Sequence, residues 1–386
     1  MKYIATAVLL LASLGQVLAQ TRVDWKMQVD SMQRQCIISV PSGAVPPGGY
    51  PLVFMFHGTS QDGEKFYTDS QWKEKGETEK FLTVFPTGLE YCIDEDGQRR
   101  ITTKWHTGEL EEMACPGQYL KDDRHFVRAM LDSIKATWPV DARRIYASGF
   151  SNGAGFASKL AVDMRDVFAA IGISGGILSD RDSTAPKRPI PVWFDLGTRD
   201  DKWLKRFIPL GITELPFNDS ILYLLAAPLN RMLGAFNLSH SYTKSTAGRL
   251  INYLFNTPAS AGPSTEFRFT LIDKMFHVYP DGSNVPIKAA DVFWNFFSQY
   301  TTPVAVESVP ESPLTISLYP NPAGSYVAID GARDATITLR NLLGQEVLRA
   351  HVVQGAQLAL PCLVPGMYSA EILSGSQRVL KTLAIQ

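Results

Sequence analysis

Gly149-Phe150-Ser151-Asn152-Gly153 reads G-x-S-x-G, and its surroundings leave the chain few ways to fold. Residues 144–148 (RIYAS) read as a strand, and residues 152–164 have the apolar spacing of a helix. The five residues therefore form a strand-to-helix turn, the context in which this pattern presents a nucleophile. The same five letters without the strand and helix are a common accident. Glycine on both sides lets the backbone turn sharply without a Cβ clash and leaves the Ser151 hydroxyl exposed above the strand end. The first N–H groups of the following helix, at the positive end of its dipole, face any negative charge that develops there.

The sequence through residue 300 supplies a sheet for such a turn. Residues 52–56 (LVFMF) and 81–85 (FLTVF) are continuous apolar runs, as in buried parallel strands. Residues 168–173, 191–194 and 266–272 read as further strands. Between them, residues 122–138 place Phe126, Met130, Ile134 and Trp138 on one helical face before Pro139, and residues 289–300 form a closing aromatic-rich helix. This alternation predicts an α/β fold with a mostly parallel sheet covered on both faces. Residues 201–258 break the rhythm. Within them, Ser220 to Phe236 is apolar at helical spacing but contains Pro228, and the stretch reads either as an extra pair of core helices or as a cap-like insert over a cleft. Residues 301–312 are Pro-rich and acidic, as in a linker. Residues 313–386 alternate with turn residues and contain no long helical pattern, which predicts a small all-β sandwich.

Hydrophobic residues make up 45% of the 386 and charged residues 19%, a globular composition. The net charge of −1 provides no electrostatic footprint for nucleic acid. Residues 1–19 read as a cleaved signal peptide: Lys2, a short apolar stretch over 4–14, then Val17-Leu18-Ala19 as the cleavage site. That stretch is too short to span a bilayer comfortably, so no membrane span is expected in the mature chain. Export permits disulfides, and Cys92 and Cys115 are the natural pair, bracketing a polar loop whose closure is worth about 3 kcal/mol. Cys36 and Cys362 lie in different predicted domains; buried free thiols are the alternative to their pairing.

A serine hydroxyl needs a base to attack at neutral pH. In this fold the base follows the last core strand, and the acid lies between serine and base in the chain. Of the six histidines, His277 alone follows the strand at 266–272 and precedes the closing helix. Asp200 stands in the turn after the strand at 191–194; Asp201 is its rival, and Asp195 sits at the strand end. The order Ser151, Asp200, His277 is that of α/β-hydrolases. His57-Gly58-Thr59-Ser60 ends the strand at 52–56, where the second oxyanion donor belongs, so the Thr59 and Asn152 N–H groups are the expected pair. His57 reads as a structural hydrogen-bonding residue. This chemistry calls for no metal and no cofactor.

These pieces carry a resemblance. Pro51-Leu-Val-Phe-Met-Phe-His-Gly58, Asp122-Asp123 at a helix start, Val140-Asp141-Ala-Arg-Arg-Ile-Tyr-Ala-Ser-Gly-Phe-Ser-Asn-Gly153, Leu196-Gly-Thr-Arg-Asp200 and His277-Val-Tyr-Pro280 resemble the family that joins polyhydroxybutyrate depolymerases with feruloyl and acetylxylan esterases, carbohydrate esterase family one. Leu196 stands where that family has histidine, and Met275-Phe276 where it has glycines. The resemblance implies an α/β-hydrolase fold and a serine esterase acting on feruloyl or acetyl esters of plant cell-wall polysaccharide. A polyhydroxyalkanoate depolymerase is the alternative, and a non-catalytic surface adhesin is the alternative of another class. Tyr319-Pro-Asn-Pro322, Arg340-Asn-Leu-Leu-Gly-Gln-Glu-Val347 and Pro365-Gly-Met-Tyr368 resemble the type A sorting domain of the Bacteroidetes type IX secretion system. That implies a cell-surface or extracellular location reached through the periplasm, with the secretion machinery as a partner.

Overall fold

The residue alternation of 52–56 explains the central layer. In the computed structural model these residues lie within a fully buried strand, Tyr50–Phe56, whose Leu52, Phe54 and Phe56 face one core and whose Val53 and Met55 face another. The structure describes residues 20–302 and 316–386, apart from 96, 183–188, 258–264, 284, 332–333, 343, 354–355, 361–362 and 375–376. The expected signal peptide, most of the expected linker and Cys362 lie outside the described residues.

The chain divides into two units, Met1–Pro303 and Val304–Gln386. The first contains strands β1 (Thr21–Val29), β2 (Met32–Val40), β3 (Tyr50–Phe56), β4 (Leu82–Pro86), β5 (Leu89–Glu95), β6 (Gln98–Lys104), β7 (Val140–Phe150), β8 (Ala170–Ser174), β9 (Val192–Gly197), β10 (Tyr242–Ala247), β11 (Leu250–Asn256) and β12 (Glu266–Ile272). Ten of them form one sheet in the order β1-β2-β4-β3-β7-β8-β9-β12-β11-β10, while β5 and β6 pair as a separate hairpin. Strands β4 through β12 in this order run parallel, and antiparallel strands flank them on both edges. One face is covered by helices Asp123–Thr137 and Asn152–Asp163 through Phe126, Met130, Phe156 and Leu160; the other by Ala289–Phe297 through Phe293 and Phe297. This is the α/β-hydrolase architecture, with the serine turn at the C-terminal end of a central strand. Among the described residues no helix is long and apolar enough to cross a membrane.

The edges depart from the sequence reading. The β1–β2 hairpin turns at Asp30 and Ser31, both with positive φ (50° and 64°), so the Asn-Gly or Asp-Gly signal of a tight hairpin is absent. Residues 242–256, expected within the insert, belong to the sheet. β11 pairs antiparallel with β12 over its whole length and buries Ile251, Tyr253 and Phe255, so an apolar alternation of period two, not a cap, ends this stretch. The helical part of the insert comprises Asp201–Leu204, the 3-10 turn Lys205–Leu210, Ser220–Leu224 and Ala226–Ala235. Pro228 falls in the first turn of the last of these, where its missing N–H costs nothing. This segment combines both expectations: Leu229, Met232 and Leu233 enter the core, while Pro228 and Arg231 line a cleft.

In the second unit, β13 (Ser317–Tyr319), β14 (Tyr326–Asp330), β15 (Asp334–Arg340), β16 (Glu346–Val353), β17 (Gln357–Ala359), β18 (Gly366–Ser374) and β19 (Gln377–Ile385) form two antiparallel sheets, β13-β14-β17 and β16-β15-β18-β19. Val327 and Ile329 of one sheet and Ile337, Leu339 and Ile372 of the other belong to a single core, as a sandwich requires. Asn321 of Tyr319-Pro-Asn-Pro322 fixes the last strand: its Nδ2 donates to Thr382 O (2.8 Å) and its Oδ1 accepts from Ala384 N (2.8 Å).

Candidate active site

The serine turn is as tight as its glycines imply. A Cβ on Gly149 would lie 2.2 Å from Gly153 O, and one on Gly153 would lie 2.3 Å from Phe56 O, so the turn and the close helix–sheet approach both exclude a side chain. Between them Ser151 adopts φ 54°, ψ −120°, a conformation a non-glycine residue holds only under constraint. The constraint comes from β8, where Ser174 O accepts the Ser151 N–H (2.9 Å), and from the helix beginning at Asn152.

Three side chains distant in sequence meet above this turn. Ser151 Oγ lies 2.8 Å from His277 Nε2, and His277 Nδ1 lies 2.8 Å from Asp200 Oδ2. Asp200 leaves β9 as the N-cap of Asp201–Leu204, where its Oδ1 accepts from Lys202 N (3.1 Å) and Trp203 N (3.2 Å). The Asp200 carboxylate is 1% exposed and the His277 ring 12%, so the carboxylate is sealed off and the imidazole reaches the surface only at its working edge. Asp201 is exposed, and Asp195 faces the interior. The Phe150 ring packs against His277 at 4.9 Å, fixing the imidazole plane.

Thr59 and Asn152 line the same cavity as Ser151 and His277, a cleft of about 900 Å³. The Asn152 side chain is occupied, with Oδ1 accepting from Trp105 N (2.7 Å) and Nδ2 donating to Trp105 O (3.3 Å). Its backbone N–H, the first of the helix, has no intrahelical carbonyl. In the facing turn, Gly58 N donates to Gln61 Oε1 (2.9 Å), and the Thr59 N–H has no partner among the described residues. His57 is held beneath this turn, with Nδ1–H donating to Gly58 O (2.7 Å) and Nε2 accepting from Gly88 N (2.9 Å). Burial lowers its pKa to about 4, so it stays neutral and structural.

Cys92 and Cys115 are joined by a disulfide that ties β5 to the chain just beyond helix Gly108–Met113. The β5–β6 hairpin and that helix together make one wall of the cleft, through Glu95, Arg100, Lys104 and Glu109 among others. Cys36 is a buried free thiol whose pKa burial pushes up to about 12.

Two features carried no sequence signal. Trp203, an apolar residue in the insert, is buried at the cleft and donates its indole N–H to Gly175 O (3.0 Å). Asp195 is buried below the site, accepting from Ser174 Oγ (2.9 Å), and its other oxygen has no partner among the described residues. Burial raises its pKa to about 8, so it holds a proton at neutral pH. The sequence places Asp195 at a strand end; only the sheet topology shows it to be interior.

The comparisons with known proteins bear on this geometry. Residues 36–187 match the family model Esterase PHB depolymerase. The matched stretch is under half of the chain. Residues 317–386 match the model of a secretion system C-terminal sorting domain, which marks the chain for the cell surface or the extracellular space. The esterase match includes Thr59, Ser151 and Asn152 and ends before Asp200 and His277. Curated relatives of the chain include a bifunctional acetylxylan esterase/xylanase of Neocallimastix patriciarum (26% identity, 44% of this chain, 22% of the relative). Feruloyl esterase B of Piromyces equi is 28% identical over 44% of this chain and 29% of its own length. Poly(3-hydroxyalkanoate) depolymerase C of Paucimonas lemoignei is 30% identical over 45% of this chain and 38% of its own. The chain thus spans well under half the length of each of these relatives. Among solved structures, an acetyl xylan esterase from Aspergillus awamori superposes with TM-score 0.47 at 14% identity, over 72% of this chain and 99% of its own.

Proposed function

We propose that the chain is a secreted serine esterase that hydrolyses carboxylic esters, with Ser151 as nucleophile, His277 as general base and acid, and Asp200 as the group that orients and stabilises the imidazolium. The observation that carries this reading is the continuous hydrogen-bond chain Ser151–His277–Asp200 at the cleft. His277 Nε2 takes the Ser151 proton as Oγ attacks the ester carbonyl, and the Thr59 and Asn152 N–H groups receive the developing oxyanion. His277 returns the proton to the leaving alcohol, an acyl-serine remains, and water repeats the sequence to release the acid. Asp200 Oδ2 accepts the Nδ1–H and so fixes the tautomer with hydrogen on Nδ1. No step needs a metal or a cofactor.

The relatives support a substrate class. Two of the three named above are acetylxylan or feruloyl esterases, which supports feruloyl or acetyl esters on plant cell-wall polysaccharide. The similarity to a polyhydroxyalkanoate depolymerase supports the second reading. The second unit then serves delivery through a type IX secretion machinery, and residues 1–19 serve export to the periplasm. The test is turnover of methyl ferulate, acetylated xylan and polyhydroxybutyrate by the purified chain. Release of ferulate or acetate without polymer degradation is the expected result; soluble hydroxybutyrate alone selects the second reading, and no turnover of any ester overturns both.

A further inference from the structure

The cleft walls differ in how their charges are compensated. On the wall made by the β5–β6 hairpin and helix Gly108–Met113, the four described carboxylates that line the cavity each have a cation. Asp94 pairs with Arg99 (3.8 Å), Glu95 with Arg100, Glu109 with Lys104 (3.3 Å) and Glu112 with Arg181 (2.5 Å).

The insert wall is different. Lys202, Arg206 and Arg231 line the same cavity as Ser151 and His277, and none of the three has a carboxylate partner among the described residues. Arg206 lies over the Trp203 ring, 4.6 Å from its centroid, and Lys202 donates its backbone N–H to Asp200 Oδ1 (3.1 Å). Trp203 is in turn anchored to Gly175 O, so these cations ride on a segment fixed to the active-site floor. Lys205 also lines the cavity but is already partnered. Against them, among the described residues, the cavity holds one carboxylate without a cation, Asp180, which accepts from Ser179 Oγ (3.5 Å). Three guanidinium or ammonium groups without counter-charges, on one side of a nucleophile, form a receptor for an anion on the bound substrate.

We infer that Lys202, Arg206 and Arg231 form a subsite for a carboxylate carried by the ester substrate, so that acidic esters are turned over in preference to neutral ones of the same shape. This inference rests on the serine-esterase reading above and narrows its substrate class. Two kinds of ester carry such a carboxylate: acylated oligosaccharides with uronic acid branches, and hydroxyacid oligomers with a free acid terminus. Both meet the same guanidinium chemistry, and Arg suits it better than Lys because its fork binds both carboxylate oxygens.

The experiment measures kcat/KM for two matched pairs. One is an acetylated glucuronoxylan oligosaccharide and its carboxyl-reduced form; the other is a 3-hydroxybutyrate trimer and its methyl ester. The full chain and the Arg206→Gln/Arg231→Gln and Arg206→Lys/Arg231→Lys double variants are compared. The expected result is an acid-to-neutral ratio of about ten for one pair in low salt, falling towards one in the glutamine variant and partly kept in the lysine variant. The pair that shows the ratio identifies the source of the carboxylate. Added salt compresses the ratio in the wild-type chain, since the subsite is open to solvent. A ratio near one for both pairs in the wild type, or a ratio the glutamine variant leaves untouched, overturns the inference. Hydrolysis of the neutral partners separates the two claims. If they are cleaved without charge preference, only the subsite fails; if no ester is cleaved and Ser151→Ala is indistinguishable from wild type, the esterase reading fails.

Discussion

Asp200 divides its carboxylate between two tasks: Oδ2 holds His277 and Oδ1 caps the helix that starts the insert. Asparagine keeps the capping oxygen but removes the charge and offers the imidazole the wrong tautomer. Asp200→Asn is therefore expected to lower kcat on a soluble ester by about 10³- to 10⁴-fold with little change in melting temperature. Exposed Asp201→Asn is expected to stay within about twofold of wild type. Steady-state kinetics of the two variants checks this, and a larger loss at Asp201 reverses it. Asp195 makes a different prediction, in stability and not in rate. Its carboxyl ionises near pH 4 in the unfolded chain but only near pH 8 in the folded one. Between those values the folded state holds a proton that the unfolded state has lost, so the contribution to stability is complete below about pH 4 and disappears as pH rises to about 8. Asp195→Asn removes this titration. Its melting temperature relative to wild type should rise between pH 5 and pH 8; a difference that does not change with pH contradicts the assignment. The two aspartates show what the sequence reveals at this scale. Asp200 was legible because a turn position after a strand is a topological fact. Asp195 and Trp203 were not, because their roles depend on what packs against them from distant elements.

At the scale of elements, one buried ion pair joins the edge of the sheet to a helix. Arg34 of β2 reaches Asp123 at the start of helix Asp123–Thr137 (2.6 Å), both side chains almost wholly buried, and Asp123 Oδ2 also accepts from His106 N (2.8 Å). The Arg34 guanidinium lies over the Phe126 ring, 4.0 Å from its centroid. Removing the carboxylate leaves a buried guanidinium without its counter-charge. Asp123→Ala is expected to cost about 3–5 kcal/mol in urea unfolding, whereas Arg34→Met/Asp123→Leu together should cost less. An Asp123→Ala loss below about 1 kcal/mol, the value of a surface pair, contradicts this account. The parallel strands and the two large helices were readable because each is buried on a definite face and repeats its apolar residues accordingly. The edge strands were not. β1 alternates half-exposed residues and turns through non-glycine residues of positive φ, and β10 is exposed along its length. β11 does alternate, but it lies beside helical segments of similar hydropathy.

At the scale of the molecule, each unit has a core of its own, since the apolar cluster of the second is made only of residues from 316 onward. A unit with its own core detaches without opening its neighbour's. Ending the chain after residue 302 should leave kcat/KM on a small soluble ester within about twofold of the full chain, as activity assays and far-ultraviolet circular dichroism will show. In a host with the secretion machinery, the shortened chain should accumulate in the periplasm. Loss of turnover on truncation would instead make the second unit part of the catalytic body. The sorting motifs were legible in sequence because they are turn and clip residues: Asn341 closes the β15–β16 turn onto Gln345, and Tyr368 Oη donates to Val364 O (2.8 Å). The central claim concerns Ser151 at the C-terminal end of β7. A fluorophosphonate added to the purified chain should increase its mass by one phosphonyl group, located by peptide mapping on Ser151 and accompanied by complete loss of esterase activity. Ser151→Ala should take up no label and hydrolyse no ester above background. Label on another residue, or ester turnover retained by Ser151→Ala, would contradict the account.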